Sequence, residues 1–169
     1  MADKIKLVMI DDEQDLCAMV KTNLEDTGEF EVLTCSDPKQ AEAFVRQHMP
    51  SIILMDVVMP GLKGSEIATA LKKSPDTKKI PIIIVSGKGE MIFDRKKNEF
   101  KWQPNNPLAK QRGQLPDAKG AEALAAAYQV DDYISKPFTT ELLLEVIKDV
   151  LARYRKAPAE DEGTPGVGV

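Results

Sequence analysis

A chain of 169 residues, 43% hydrophobic and 30% charged, is long enough for one domain with its own core and has the balance of an ordinary globular protein. A net charge of −4 offers nucleic acid no overall attraction, and no apolar run is long enough to span a bilayer, so direct nucleic-acid binding and membrane insertion are not expected. The start, MADKIKLVMI, lacks the layout of a signal peptide, and Cys17 and Cys35 lack metal-ligand spacing. Both cysteines read as small buried hydrophobes of a cytoplasmic protein.

The pattern alternates strand and helix. A first strand is expected over Lys4–Ile10, followed by a helix near Glu13–Thr27 with Leu16, Met19, Val20 and Leu24 on its apolar stripe. Asp12 is a candidate N-cap for that helix and Gly28 a natural stop. Phe30–Cys35 reads as a second strand. Asp37-Pro38 reads as N-cap plus first-turn proline of a helix reaching His48, where the histidine has a surface or capping role. Ser51–Asp56 is the third strand, and Val57–Gly64 a loop containing the turn Met59-Pro60-Gly61. A third helix carries Ile67, Ala68, Ala70 and Leu71 inward and stops at Ser74-Pro75-Asp76. Ile80–Ser86 is the fourth strand.

Regular alternation then breaks off until an alanine-rich helical stretch near Ala118–Tyr128. Asp132–Ser135 is a short fifth strand. Thr139 or Thr140 can cap a last helix reaching about Arg155. The domain is expected over 1–156, with an insertion at about 89–118. Residues 157–169, rich in Pro, Gly and acid, are expected to form a disordered tail. Strands and helices in this order imply an α/β fold, a three-layer α/β/α sandwich. Its natural form is a flavodoxin-like five-stranded parallel sheet of order 2-1-3-4-5.

Polar residues interrupt these apolar runs at their carboxyl ends. They are Asp11 and Asp12 in VMIDDE, Asp56 in IILMDVVMPG, Ser86 in PIIIVSG and Lys136 in DDYISKPF. Each alone has an ordinary reading: Asp12 as a helix cap, Asp11 as a solvated strand end, Ser86 as a strand-end hydroxyl. In an open α/β sheet, however, these ends share the rim where ligands bind. Several carboxylates facing one lysine are unfavourable without a further cation, which points to a hard divalent metal, Mg²⁺, and to phosphoryl chemistry.

Taken together, IDDE, DVVMPGLKG, IIIVSG and YISKPF resemble, in this order and on these elements, the receiver domain of two-component response regulators of the single-domain CheY-like kind. The resemblance covers about Lys4–Arg155, apart from the segment after Ser86. It implies that Asp56 accepts the phosphoryl group from a sensor histidine kinase or a histidine phosphotransfer protein. It implies that Asp12, Asp56 and the Val58 carbonyl bind Mg²⁺ directly, with Asp11 acting through water. Lys136 and Ser86 would each hold a phosphoryl oxygen, Gly87 would offer its backbone N–H, and Tyr133 matches an aromatic switch position. The Lys136-Pro137 bond is expected to be cis, aiming the lysine at the site. Such a domain assists its own phosphorylation and dephosphorylation without being a turnover enzyme.

One departure stands out. Ser86 and Lys136 lie 50 positions apart, about twice the family spacing. Residues 88–119 hold eight basic and four acidic side chains, a local excess of +4 in an acidic chain. Such a segment reads as a lid over Asp56, as an arm that docks a partner, or as a replacement of the usual fourth helix that alters the signalling face. With no further domain expected after the last helix, output would pass to a downstream protein target, with a homodimer through that helix left open. The competing readings are a non-phosphorylated scaffold of the same fold and, less well matched, an aspartyl-nucleophile phosphatase. The latter would want a second aspartate where Glu13 stands.

Overall fold

The computed structural model describes residues 3–57, 59–62, 64–86, 90–94, 99–103 and 130–156. Five strands, β1 (Ile5–Ile10), β2 (Phe30–Cys35), β3 (Ile52–Asp56), β4 (Ile82–Ser86) and β7 (Asp132–Ser135), form one parallel sheet in the order β2-β1-β3-β4-β7. Counting only these strands, this is the expected 2-1-3-4-5 arrangement. Between β4 and β7 the chain forms an antiparallel pair, β5 (Glu90–Asp94) and β6 (Glu99–Gln103), within the segment where the strand–helix alternation of the sequence breaks off.

The sheet is covered on both faces because its strands alternate between two apolar sets. Leu7 and Met9 pack with α1 (Gln14–Glu25) and α4 (Thr140–Lys156), through Val20, Leu24, Leu143 and Ile147. Val8 and Ile10 point the other way, into the core completed by α2 (Ala41–His48) and α3 (Gly64–Lys73), through Val45, Ile67 and Leu71. Each such fully buried aliphatic side chain contributes about 1.5–3 kcal/mol. Edge strand β2 is guarded from α1: Lys21 Nζ donates to the Val32 carbonyl at 2.6 Å, and the Val32 amide donates to Glu25 at 3.0 Å.

Element boundaries differ from expectation where local hydrogen bonding intervenes. Asp12 does not cap α1. Glu13 occupies the N-cap position without a side-chain cap bond, and the Asp12 carboxylate instead joins those of Asp11 and Asp56. Asp37 accepts the Lys39 amide at 3.0 Å, but a turn closed by Gln40 N–H to the Asp37 carbonyl comes first, so α2 starts only at Ala41. Thr139 caps α4, its hydroxyl accepting the Leu142 amide at 3.2 Å. Gly28, with φ of 78°, closes the turn after α1. His48 ends α2 with its ring 4.4 Å from that of Phe44. The expected helix near 118–128 and the tail 157–169 lie outside the described residues. Among the described residues no helix is long and apolar enough to cross a membrane.

Candidate functional site

Strand register decides which side chains meet. Ile10 pairs with Met55, so Asp11 follows level with Asp56 on the neighbouring strand. Asp56 pairs with Val85, and Ser86 with Ser135, so Lys136 follows one step beyond. All four therefore lie along the carboxyl rim of the sheet, although Asp11 and Lys136 are 125 positions apart in sequence.

Carboxylate oxygens of Asp11, Asp12 and Asp56 all lie within 4.8 Å of one another. Asp11 and Asp56 are buried and Asp12 is exposed, so the cluster opens to solvent on one side. Lys136 enters from the end of β7, its ammonium 2.7 Å from Asp11 Oδ2, 3.0 Å from Glu13 Oε1 and 3.8 Å from Asp56 Oδ2. Burial works to lower the Lys136 pKa. Hydrogen bonds to Asp11 and Glu13 and the charges of Asp56 and Asp11 outweigh it and hold the pKa above the ordinary lysine value. The Lys136-Pro137 peptide bond is cis, as the resemblance implied.

Asp11 also organises the backbone beneath the site. Its Oδ1 accepts the Glu13 amide at 2.8 Å, and its carbonyl accepts the Cys17 thiol at 3.4 Å. Burial, and next the Asp11 charge, push the Cys17 thiol up to about 12, so it stays protonated and unreactive at neutral pH. Both cysteines are free and buried, as expected.

On the β3 side, Gly64 opens α3 directly against the end of the strand. A Cβ there would overlap the Asp56 carbonyl oxygen, so the close approach of helix to strand requires glycine. The sequence motif contained this glycine, but its reason is visible only in the packing. Met59 is buried in the second core, anchoring the loop that follows Asp56. Tyr133, opposite Ile84 on β7, is half-buried against the same core.

Three carboxylates at a shared rim form an all-oxygen donor set suited to a hard divalent cation such as Mg²⁺, and among the described residues they outnumber the ammonium that faces them. The sequence-predicted Asp11, Asp12, Asp56 and Lys136 thus come together. Ser86 ends β4 at the same rim, but its hydroxyl, together with Val58 and Gly87, lies outside the described residues. Glu13 as a direct partner of Lys136 was missed, and its only signal was one more acid following Asp11-Asp12.

Comparison with known proteins bears on this arrangement. The family described as response regulator receiver domain matches residues 7–101. The phosphate regulon transcriptional regulatory protein PhoB of Rhizobium meliloti is 28% identical over 89% of this chain and 53% of its own length. PhoB of Pseudomonas aeruginosa is 32% identical over 96% of this chain and 57% of its own length. The chain therefore spans about half the length of these relatives. Among solved structures, chemotaxis protein CheY4 of Vibrio cholerae matches with a TM-score of 0.64 at 23% identity, covering 88% of this chain and 99% of that one, which shows a common fold. With the family model matching more than half of its length, this chain belongs to the response regulator receiver domains of two-component signalling.

Proposed function

We propose that this domain accepts a phosphoryl group on Asp56 from a phosphohistidine of a sensor histidine kinase or histidine phosphotransfer protein, in a Mg²⁺-dependent reaction. The observation that carries this reading is the meeting of Asp11, Asp12 and Asp56 within 4.8 Å, facing Lys136 at the sheet rim. Asp12, Asp56 and the Val58 carbonyl would hold the Mg²⁺, with Asp11 acting through a water. When bound, the ion supplies positive charge to a phosphoryl oxygen and to the Asp56 carboxylate.

The chain's own residues do the rest. A carboxylate oxygen of Asp56 attacks phosphorus in line, the P–N bond to the donor imidazole breaks, and the imidazole leaves with the bonding electrons and takes up a proton. Lys136 and the Ser86 hydroxyl would each hold one equatorial oxygen and the Gly87 N–H would add a donor, meeting the charge that spreads over the phosphoryl oxygens in the transition state. Hydrolysis returns the carboxylate, with the domain assisting both steps and gaining no catalytic turnover of a separate substrate.

The switch is local. Ser86 moves toward the phosphoryl group, Tyr133 turns into the space, and the face around β7 and α4 changes its packing. A downstream protein target reads that face. The receiver unit runs over residues 1–156, with the segment at about 89–118 as an insertion in the chain between β4 and β7.

The direct test is intact mass after incubation with Mg²⁺ and a small acyl phosphate. One phosphoryl group on the wild type, absent from Asp56→Asn and prevented by EDTA, is the expected result. An unmodified wild type under every donor would turn the reading toward a receiver-fold scaffold.

A further inference from the structure

Among the described residues Lys136 has two anionic partners at hydrogen-bond distance, and neither is Asp56. Its ammonium lies 2.7 Å from Asp11 and 3.0 Å from Glu13, whereas 3.8 Å to Asp56 is an ion-pair separation beyond hydrogen-bond reach. Glu13 holds this position by an unusual use of its place in the chain. It stands at the N-cap of α1, where a short side chain would normally bind the helix's first amides, yet it makes no cap bond and reaches across to β7 instead.

We infer that Glu13 is a positioning residue that parks Lys136 on the solvent side of the site, so that its contact must break before the ammonium can serve a phosphoryl group on Asp56. This rests on the phosphoacceptor reading above. Asp11 can give up Lys136 without loss, because an incoming cation takes the lysine's place beside it. Glu13 has no such replacement, so its contact opposes the move. Glu13 is 54% exposed, which sets the size of the effect: partly solvated ion pairs shift an equilibrium by about two- to fivefold. The same contact also keeps the lysine ordered before a ligand arrives.

The probe is beryllofluoride with Mg²⁺, a non-hydrolysable phosphoryl mimic, titrated into the full chain. Glu13→Gln removes the charge with little change of shape. Glu13→Ser removes the contact while supplying a favoured cap, which preserves α1. Asp15→Asn, in the first turn of the same helix, removes the same charge at a residue that neither hydrogen-bonds nor ion-pairs with Lys136, and controls for the general field.

Both Glu13 variants are expected to bind the mimic about two- to fivefold more tightly than wild type, with Asp15→Asn showing a smaller gain or none. A gain in neither or only one Glu13 variant, or an equal gain from Asp15→Asn, overturns the parking role. Failure of the underlying reading is separable, because it would appear as wild-type protein that does not bind the mimic at all.

Discussion

The two rims of the sheet each hold a nearly buried lysine among aspartates, yet they balance differently. At the amino rim, Lys72 is 6% exposed and lies 3.2 Å from Asp131. Its ammonium also donates to the carbonyls of Ile80 and Lys78, and lies 3.3 Å from the Tyr154 hydroxyl. Asp131 in turn accepts the Ile82 amide at 2.8 Å and the Tyr154 hydroxyl at 2.7 Å. Among the described residues one ammonium meets one carboxylate, and that carboxylate also accepts from a backbone amide and a hydroxyl. At the carboxyl rim, Lys136, 12% exposed, faces Asp11, Glu13 and Asp56, with Asp12 beside them. A charge-balanced cluster ties α3, β4, β7 and α4 together, whereas a cluster with surplus negative charge is a place to bind a cation.

Breaking the balanced rim should have the largest effect on the fold. Lys72→Met leaves Asp131 without its buried counter-charge and is expected to cost about 3 kcal/mol in urea unfolding, while Mg²⁺ affinity stays at the wild-type value. A large loss of Mg²⁺ affinity in this variant would erase the distinction between the rims. The surplus rim should respond in the opposite manner. Mg²⁺ at a hundred times its Kd should stabilise the wild type by about 2.7 kcal/mol, and Asp12→Asn should lose most of that gain without destabilising the metal-free protein. Thermal unfolding with and without the ion reads both.

Gly64→Ala probes the backbone under the carboxyl rim. The added methyl meets the Asp56 carbonyl, so a cost of about 2 kcal/mol and weaker Mg²⁺ binding are expected together. Stability loss with unaltered Mg²⁺ binding would mean that the helix start yields and Asp56 does not.

The smallest expected effect is alkaline and involves one group at each rim. Cys17 rises from 9.0 to about 12 through burial and the nearby Asp11 charge. Tyr154 is raised above its ordinary value by burial and by its bond to Asp131. With pKa values raised in the folded state, both groups keep protons that the unfolded chain releases. Their contribution is whole below the ordinary thiol and phenol values and declines as pH rises through them. Urea midpoints should therefore fall above about pH 9, and Cys17→Ala should flatten the decline between pH 9 and 12. An unchanged slope in that variant would assign the loss to other groups.

Much of this architecture was legible because buried parallel strands announce themselves. Runs such as IKLVMI, IILMD and IIIVS are too apolar for a half-solvated strand, and each ends where a polar residue marks the rim. The order of these rim residues made Asp11, Asp12, Asp56 and Lys136 readable as one group. The antiparallel pair was missed although its signal was present. Phe100 and Trp102 flank Lys101 in an alternating run, Met91-Ile92-Phe93 is a short apolar run, and the register sets Met91 opposite Trp102 and Phe93 opposite Phe100. The run Arg95-Lys96-Lys97 between them reads by itself as a solvated loop face.

Composition and period alone determined the fold class, the order of the five sheet strands along the chain and the polar residues at their ends, because burial on both faces of a parallel sheet leaves a direct imprint on sequence. Three things needed the tertiary structure: that Asp12 turns to its fellow carboxylates and leaves α1 uncapped, that Gly64 must admit the Asp56 carbonyl, and that Lys136 rests between Asp11 and Glu13. Each depends on distances between side chains on different elements. Those distances are set by strand register and helix placement, which no local pattern encodes.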